Sequence, residues 1–187
     1  YSASYKFIGH IPGGLAMATV AAATAFKALC GSSPATAATF ASVAVPEMDR
    51  YNYAKKLSTG IVATVGTLGI LIPPSVTLIV FGIITEQSIG KLFLAGLIPG
   101  LIIAFFFILI IYGWCRINPA LGPRGEKSTW KERVASLPEI FWVALIFVLV
   151  VGGLMQGFFT PTEAGSIGTF AVLLLSIIKR DINFKGF

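Results

Sequence analysis

Two short segments carry most of the polar chemistry of this chain. One is GSSPAT, residues 31–36, which follows the apolar run LAMATVAAATAFKALC. The other is GTLGILIPPS, residues 66–75, where Pro73 and Pro74 interrupt an apolar stretch. Proline lacks an amide hydrogen and stops a helix. A broken helix leaves free carbonyls at the end of its first half and free amides at the start of its second. Free carbonyls suit a hard cation such as Na⁺; free amides, at the positive end of a helix dipole, suit an anion. The hydroxyls of Ser32 and Ser33 add neutral ligands. A Pro-Pro break also serves as a plain packing kink; its pairing with a serine-rich tip favours a binding site. The single histidine, His10, leaves no Ser-His-Asp or Cys-His arrangement, so catalysis by such groups has no support. His10 reads as an interfacial residue and Glu86 as solvated.

The elements that hold these segments are membrane helices. Of 187 residues, 56% are hydrophobic and 12% charged, about half the charge of a soluble domain. Several apolar runs reach the ~20 residues that cross a bilayer. The net charge of +6 then speaks to orientation and not to nucleic acid. Cys30 and Cys115 lie in or beside apolar runs, with no metal or disulfide spacing. Residues 15–46 read as a re-entrant helical hairpin: a first arm to Cys30, the polar tip, and a second arm, 37–45, stopped by Pro46. Residues 46–56 read as a polar surface loop, and residues 57–85 as one span broken at Pro73 and Pro74. Residues 86–91 form a turn, and residues 92–113 and 139–159 form two further spans.

Between those spans, residues 114–138 are a polar loop. Within it Trp130, Val134 and Leu137 are spaced for a short amphipathic helix at the interface. Thr160, Pro161 and Glu163 read as a capping box that opens a last, short span, 164–178. The 114–138 loop and the segment after Ile178 are both basic and two spans apart, so both are cytoplasmic. The chain starts at Tyr1 without a signal-peptide pattern and ends just after a basic cluster, as part of a longer protein would.

A set of motifs in order makes the reading specific: HIPGGLA (10–16), CGSSPATAAT (30–39), VPEM (45–48), GTLGILIPPS (66–75), LFLAGLIPGL (92–101) and FTPTEAG (159–165). As a set, the chain resembles the large, DctM-like membrane subunit of tripartite ATP-independent periplasmic (TRAP) transporters, over nearly its whole length. The resemblance implies the N-terminal half of that subunit: all-α, with a re-entrant hairpin and a broken helix, half of an inverted-repeat elevator transporter. Residues 1–91 would be transport-domain part and residues 92–187 further membrane spans. It implies Na⁺-coupled import of an organic acid, such as a dicarboxylate or a sialic acid, across the bacterial inner membrane. Its partners would be a small four-helix membrane subunit, a periplasmic substrate-binding protein and the lipid bilayer.

Carried over by resemblance, the Na⁺ ligands would be Ser32 and Cys30 at the tip, with carbonyls of Gly69, Ile72 and Pro74 on the broken helix. Many relatives have serine where Cys30 stands, and a thiol is a poor ligand for a hard cation. Ser33, Thr36 and Ser75 would receive a substrate carboxylate, its charge offset by the ion so that each favours the other. Lys27 is a second departure, in an arm where relatives are small or apolar. An intramembrane lysine either attracts the anionic substrate, or snorkels or pairs with a partner. The rival readings are an ion or anion channel, which needs a continuous polar lining, and an elevator transporter of another family.

Overall fold

A computed structural model describes residues 2–125, 129 and 136–178 of the chain. Among these residues the chain forms eight α-helices and no strand. They are α1 (Ser2–Ile8), α2 (Gly14–Cys30), α3 (Ser33–Arg50), α4 (Lys55–Thr67), α5 (Val76–Ile84), α6 (Ile89–Ile117), α7 (Leu137–Met155) and α8 (Pro161–Ile178). A 3-10 turn, Leu68–Ile70, continues α4 into the break.

The centre of the bundle is α2. From Leu15 to Val20 every side chain is buried, Thr19 included; its hydroxyl donates to the Leu15 carbonyl at 2.8 Å. Around α2 pack α1, α3, α4 and α6, with a second apolar cluster where Phe93 of α6 meets Ile146 and Val150 of α7. The small residues of α2 (Ala16, Ala18, Ala22, Ala23) let its neighbours approach closely, as helices in a membrane require.

The second arm of the hairpin is longer than the sequence reading had it. It does not stop at Pro46 but runs on to Arg50, so the expected loop at 46–56 shrinks to a turn at 51–54. The buried residues of α3 are Thr36, Phe40, Ala44 and Met48, a stripe at four-residue spacing that continues across Pro46. Pro46 itself is exposed. Its missing amide deprives only the Ser42 carbonyl, which lies on the outward side of the helix. Packing on the inner stripe therefore carries the helix past the proline.

The helix α6 is the single element, among the described residues, that is both long and apolar enough to cross a membrane. Its 29 residues extend about 43 Å, longer than the expected 92–113 span. Phe93, Gly96, Gly100, Ala104, Ile111 and Cys115 form its inner stripe. The opposite face presents Ile98, Phe105, Phe106 and Ile110 at half exposure or more, a surface suited to hydrocarbon. Gly14–Lys27, Ala144–Gly153 and Ser166–Ile177 are shorter apolar helical stretches. Most of the expected amphipathic segment around Trp130 lies outside the described residues, as do the basic residues after Ile178.

One end of the bundle is closed by a loop after α6. The Gly13 amide donates to the Gly122 carbonyl at 2.9 Å, and the Ala54 amide to the Leu121 carbonyl at 3.0 Å. The expected helix start at residue 160 is formed. Thr160 N–H and its hydroxyl both donate to the Glu163 carboxylate at 2.8 Å, and Glu163 N–H donates back to the Thr160 hydroxyl at 3.3 Å.

Candidate functional site

The two polar segments meet. Gly31 ends α2 with φ of 60°, its amide donating to the Lys27 carbonyl at 3.2 Å. This left-handed cap turns the chain back on itself, and only glycine takes it without cost. Glycine is required there a second time: a Cβ on Gly31 would stand 2.9 Å from the Pro74 carbonyl oxygen. The hairpin tip thus rests directly on the Pro-Pro break.

The break follows from hydrogen-bond supply. In a continuous helix the carbonyls of Gly69 and Ile70 would bond the amides of residues 73 and 74. Both are prolines and have none. The Ser75 hydroxyl replaces one lost donor, reaching the Ile70 carbonyl at 2.8 Å. Gly69 has no such replacement from its own helix. After the break, Ser75 caps α5 by accepting from the Leu78 amide at 3.4 Å. Ser32 does the same for α3, accepting from the Ala35 amide at 3.4 Å. Two serine-capped helix N-termini, those of α3 and α5, therefore start beside two helix C-termini, those of α2 and the α4 turn. The first pair offers partial positive charge and the second partial negative charge.

Lys27 lies in the last turn of α2 and is fully buried. It does not snorkel out. Its ammonium donates to the Ser33 hydroxyl at 3.3 Å. Its far end lies where a side chain on Gly69 would be: a Cβ there would overlap Nζ, Cε and Cδ of Lys27. Among the described residues Lys27 makes no ion pair; the one present joins Arg50 and Glu47 on the surface. Nor do the described residues hold a cluster of three acidic, histidine or cysteine side chains. The charge in the gap is therefore met by the Ser33 hydroxyl, beside the partial negative ends of α2 and the α4 turn.

Each residue singled out in the sequence has a definite place. Cys30 ends α2, partly buried, and Ser32 and Ser33 form the tip, also partly buried. Gly69, Ile72 and Pro74 line the break, with Ile72 only 2% exposed. Thr36 and Ser75 are fully buried, their hydroxyls donating to the backbone carbonyls of Ser32 (3.0 Å) and Ile70. These two hydroxyls shape the tip and the break and do not face outward. The Lys27 amine brings a positive charge to the gap, next to the Ser33 hydroxyl.

Two supports escaped the sequence reading. Gly96 and Gly100 present a flat face of α6 to the break. A Cβ at Gly96 would stand 2.6 Å from the Leu71 carbonyl oxygen, and one at Gly100 would stand 2.9 Å from Ile72 Cγ1. Their four-residue spacing was the available signal. The glycine at 69 as a slot for Lys27 had no signal in the sequence.

The chain matches the family described as "Tripartite ATP-independent periplasmic transporter, DctM component" over residues 1–187. It is 42% identical over 179 residues to the C4-dicarboxylate TRAP transporter large permease protein DctM of Pseudomonas aeruginosa, covering 95% of this chain and 42% of that protein. It is 36% identical over 180 residues to the 2,3-diketo-L-gulonate TRAP transporter large permease protein of Escherichia coli (96% and 42%). It is 37% identical over 182 residues to the ectoine TRAP transporter large permease protein of Halomonas elongata (96% and 42%). The chain spans less than half the length of these relatives. The family match covers the whole chain, with the capped tip and the broken helix inside it, and the chain belongs to the DctM component family of TRAP transporters, integral membrane permeases.

Proposed function

We propose that the protein is the large membrane subunit of a secondary transporter that imports a carboxylate-bearing solute across the bacterial inner membrane. The observation that carries this reading is the meeting of four helix ends where Gly31 rests on Pro74, with Lys27 buried beside them. Helix N-termini and a lysine recognise a carboxylate. The solutes named for these three relatives differ in kind (a C4-dicarboxylate, a keto sugar acid and ectoine) but share a carboxylate; a further relative is named for isethionate, whose anionic group is a sulfonate. Selection among them falls to a periplasmic binding protein and to parts of the site beyond this chain.

In this reading α2 and α3 form a re-entrant hairpin. With the broken helix, within residues 1–91, they move as part of a transport domain against the later spans, 92–187, and a small four-helix partner subunit. Na⁺ is the coupling ion of the whole transporter. Around the gap, Cys30, Ser32, Gly69, Ile72 and Pro74 offer oxygen ligands for one positive charge. Ser33 meets the solute, with the buried Lys27 charge held behind it; Thr36 and Ser75 keep the two N-termini in place. A channel is a poorer fit, since polarity is concentrated at one covered site and a channel needs a continuous polar path.

The test is uptake by proteoliposomes containing the complete transporter, supplied with its binding protein and a panel of labelled carboxylates. The expected result is accumulation of one of them under an inward Na⁺ gradient and none under an equal K⁺ gradient. Uptake indifferent to the cation, or single-channel currents, would overturn the proposal.

A further inference from the structure

The buried amine of Lys27 has a role that solute recognition does not require. Its head fills the slot left by the missing side chain of Gly69 and donates to Ser33. It therefore bridges the two elements that meet at the site: it is rooted in α2, bonds the first residue of α3, and packs on the turn that ends α4. A monovalent metal ion held by the same neutral oxygens would make the same bridge. Two unit charges about 4 Å apart in a site of intermediate dielectric repel enough to weaken the second ion's binding by roughly a hundred- to a thousandfold. No acidic side chain among the described residues stands by to offset both. One gap lined by neutral oxygens holds one charge.

We infer that the Lys27 ammonium is a tethered cation that fastens the hairpin tip to the broken helix in place of a bound Na⁺. This inference rests on the proposed reading of the gap as a cation site. A tethered charge crosses with the transport domain and is not released, so this half of the transporter contributes no ion to the coupling stoichiometry. Position 69 then requires glycine for space, because any side chain there would displace the amine.

The experiment is the thermal stability of the complete subunit in detergent, in NaCl against KCl at equal ionic strength, for the parent and for Lys27→Met. Lys27→Gln, which keeps a donor for Ser33 but no charge, is measured in parallel and decides the matter if the apolar variant does not purify. A ligand that binds only the folded state raises its melting temperature. Either variant is expected to gain a Na⁺-specific rise of at least about 3 °C over the parent. Na⁺-specific rises of equal size in parent and variants would overturn the tethered-cation inference and leave the Na⁺ reading standing. The absence of any Na⁺-specific rise in all three proteins would overturn both.

Discussion

Gly69→Ala is the sharpest perturbation of the site, because one methyl group has one obstacle. The new Cβ would overlap the end of the Lys27 side chain. The three atoms nearest to it all belong to Lys27, and Gly69 is not among the residues with positive φ. Forcing an extra carbon into a packed interior costs about 1–3 kcal/mol. Moving the ammonium off Ser33 forfeits a charged hydrogen bond, worth about 1.5–3 kcal/mol. At 3.3 Å that bond is long, so the lower end applies, and about 2.5–4.5 kcal/mol is expected in total. In a Lys27→Ala background the obstacle is gone. Gly69→Ala should then lie within about 1 kcal/mol of neutral, helped by the reduced freedom of the unfolded chain. The assay is a double-mutant cycle on the complete subunit, by denaturant or thermal unfolding, and the coupling is the difference between the two costs. An equal cost of Gly69→Ala with and without Lys27 would refute the placement of the amine against Gly69.

Other expectations follow from the same contacts. Gly96→Ala should destabilise the subunit by about 1–3 kcal/mol, and more than Gly100→Ala. The first meets a backbone oxygen at 2.6 Å, the second a side-chain carbon of Ile72 at 2.9 Å; comparison of the two unfolding midpoints checks the order. Ser75→Ala removes the donor to the Ile70 carbonyl at the break and should cost about 1–3 kcal/mol. Hydrogen exchange at the start of α5 should rise in the same variant. The backbone and hydroxyl hydrogen bonds from Thr160 hold the Glu163 carboxyl below its ordinary pKa. A depressed carboxyl stabilises the fold above its unfolded pKa, and that contribution fades as pH falls through the lower folded value. Glu163→Gln should therefore destabilise the helix start at neutral pH and not at strongly acid pH, as read by pH-dependent exchange at residues 162–165.

Much of the site was legible because it is written in local backbone rules. Two adjacent prolines remove the amides of two consecutive residues, so a break at 73 and 74 is readable from the sequence. Gly31 followed by Ser32, Ser33 and Pro34 spells a helix end and a helix start in four residues. Thr160 and Glu163 close their capping box without help from elsewhere. What was not legible depends on partners distant in sequence. Pro46 looked like a stop, but the stripe of Phe40, Ala44 and Met48 runs past it, and tertiary packing outweighs a proline on an outer face. The four-carbon stem of Lys27 could lead outward or inward, and only Gly69, 42 positions later, decides. Thr36 and Ser75, at a tip and a break, were expected to help receive a substrate carboxylate. The structure turns both toward backbone carbonyls.

The account's central claim is that the hairpin tip and the break together form the solute site. Cys30 is a native reporter for it: partly buried at the end of α2, while Cys115 is fully buried in α6. The decisive measurement is the rate at which a small maleimide modifies Cys30 in the complete transporter, followed by mass spectrometry of its peptide, with and without the transported solute. The account predicts that saturating solute slows modification of Cys30 severalfold while an unrelated anion does not. An unchanged rate, in a preparation that transports that solute, would contradict it.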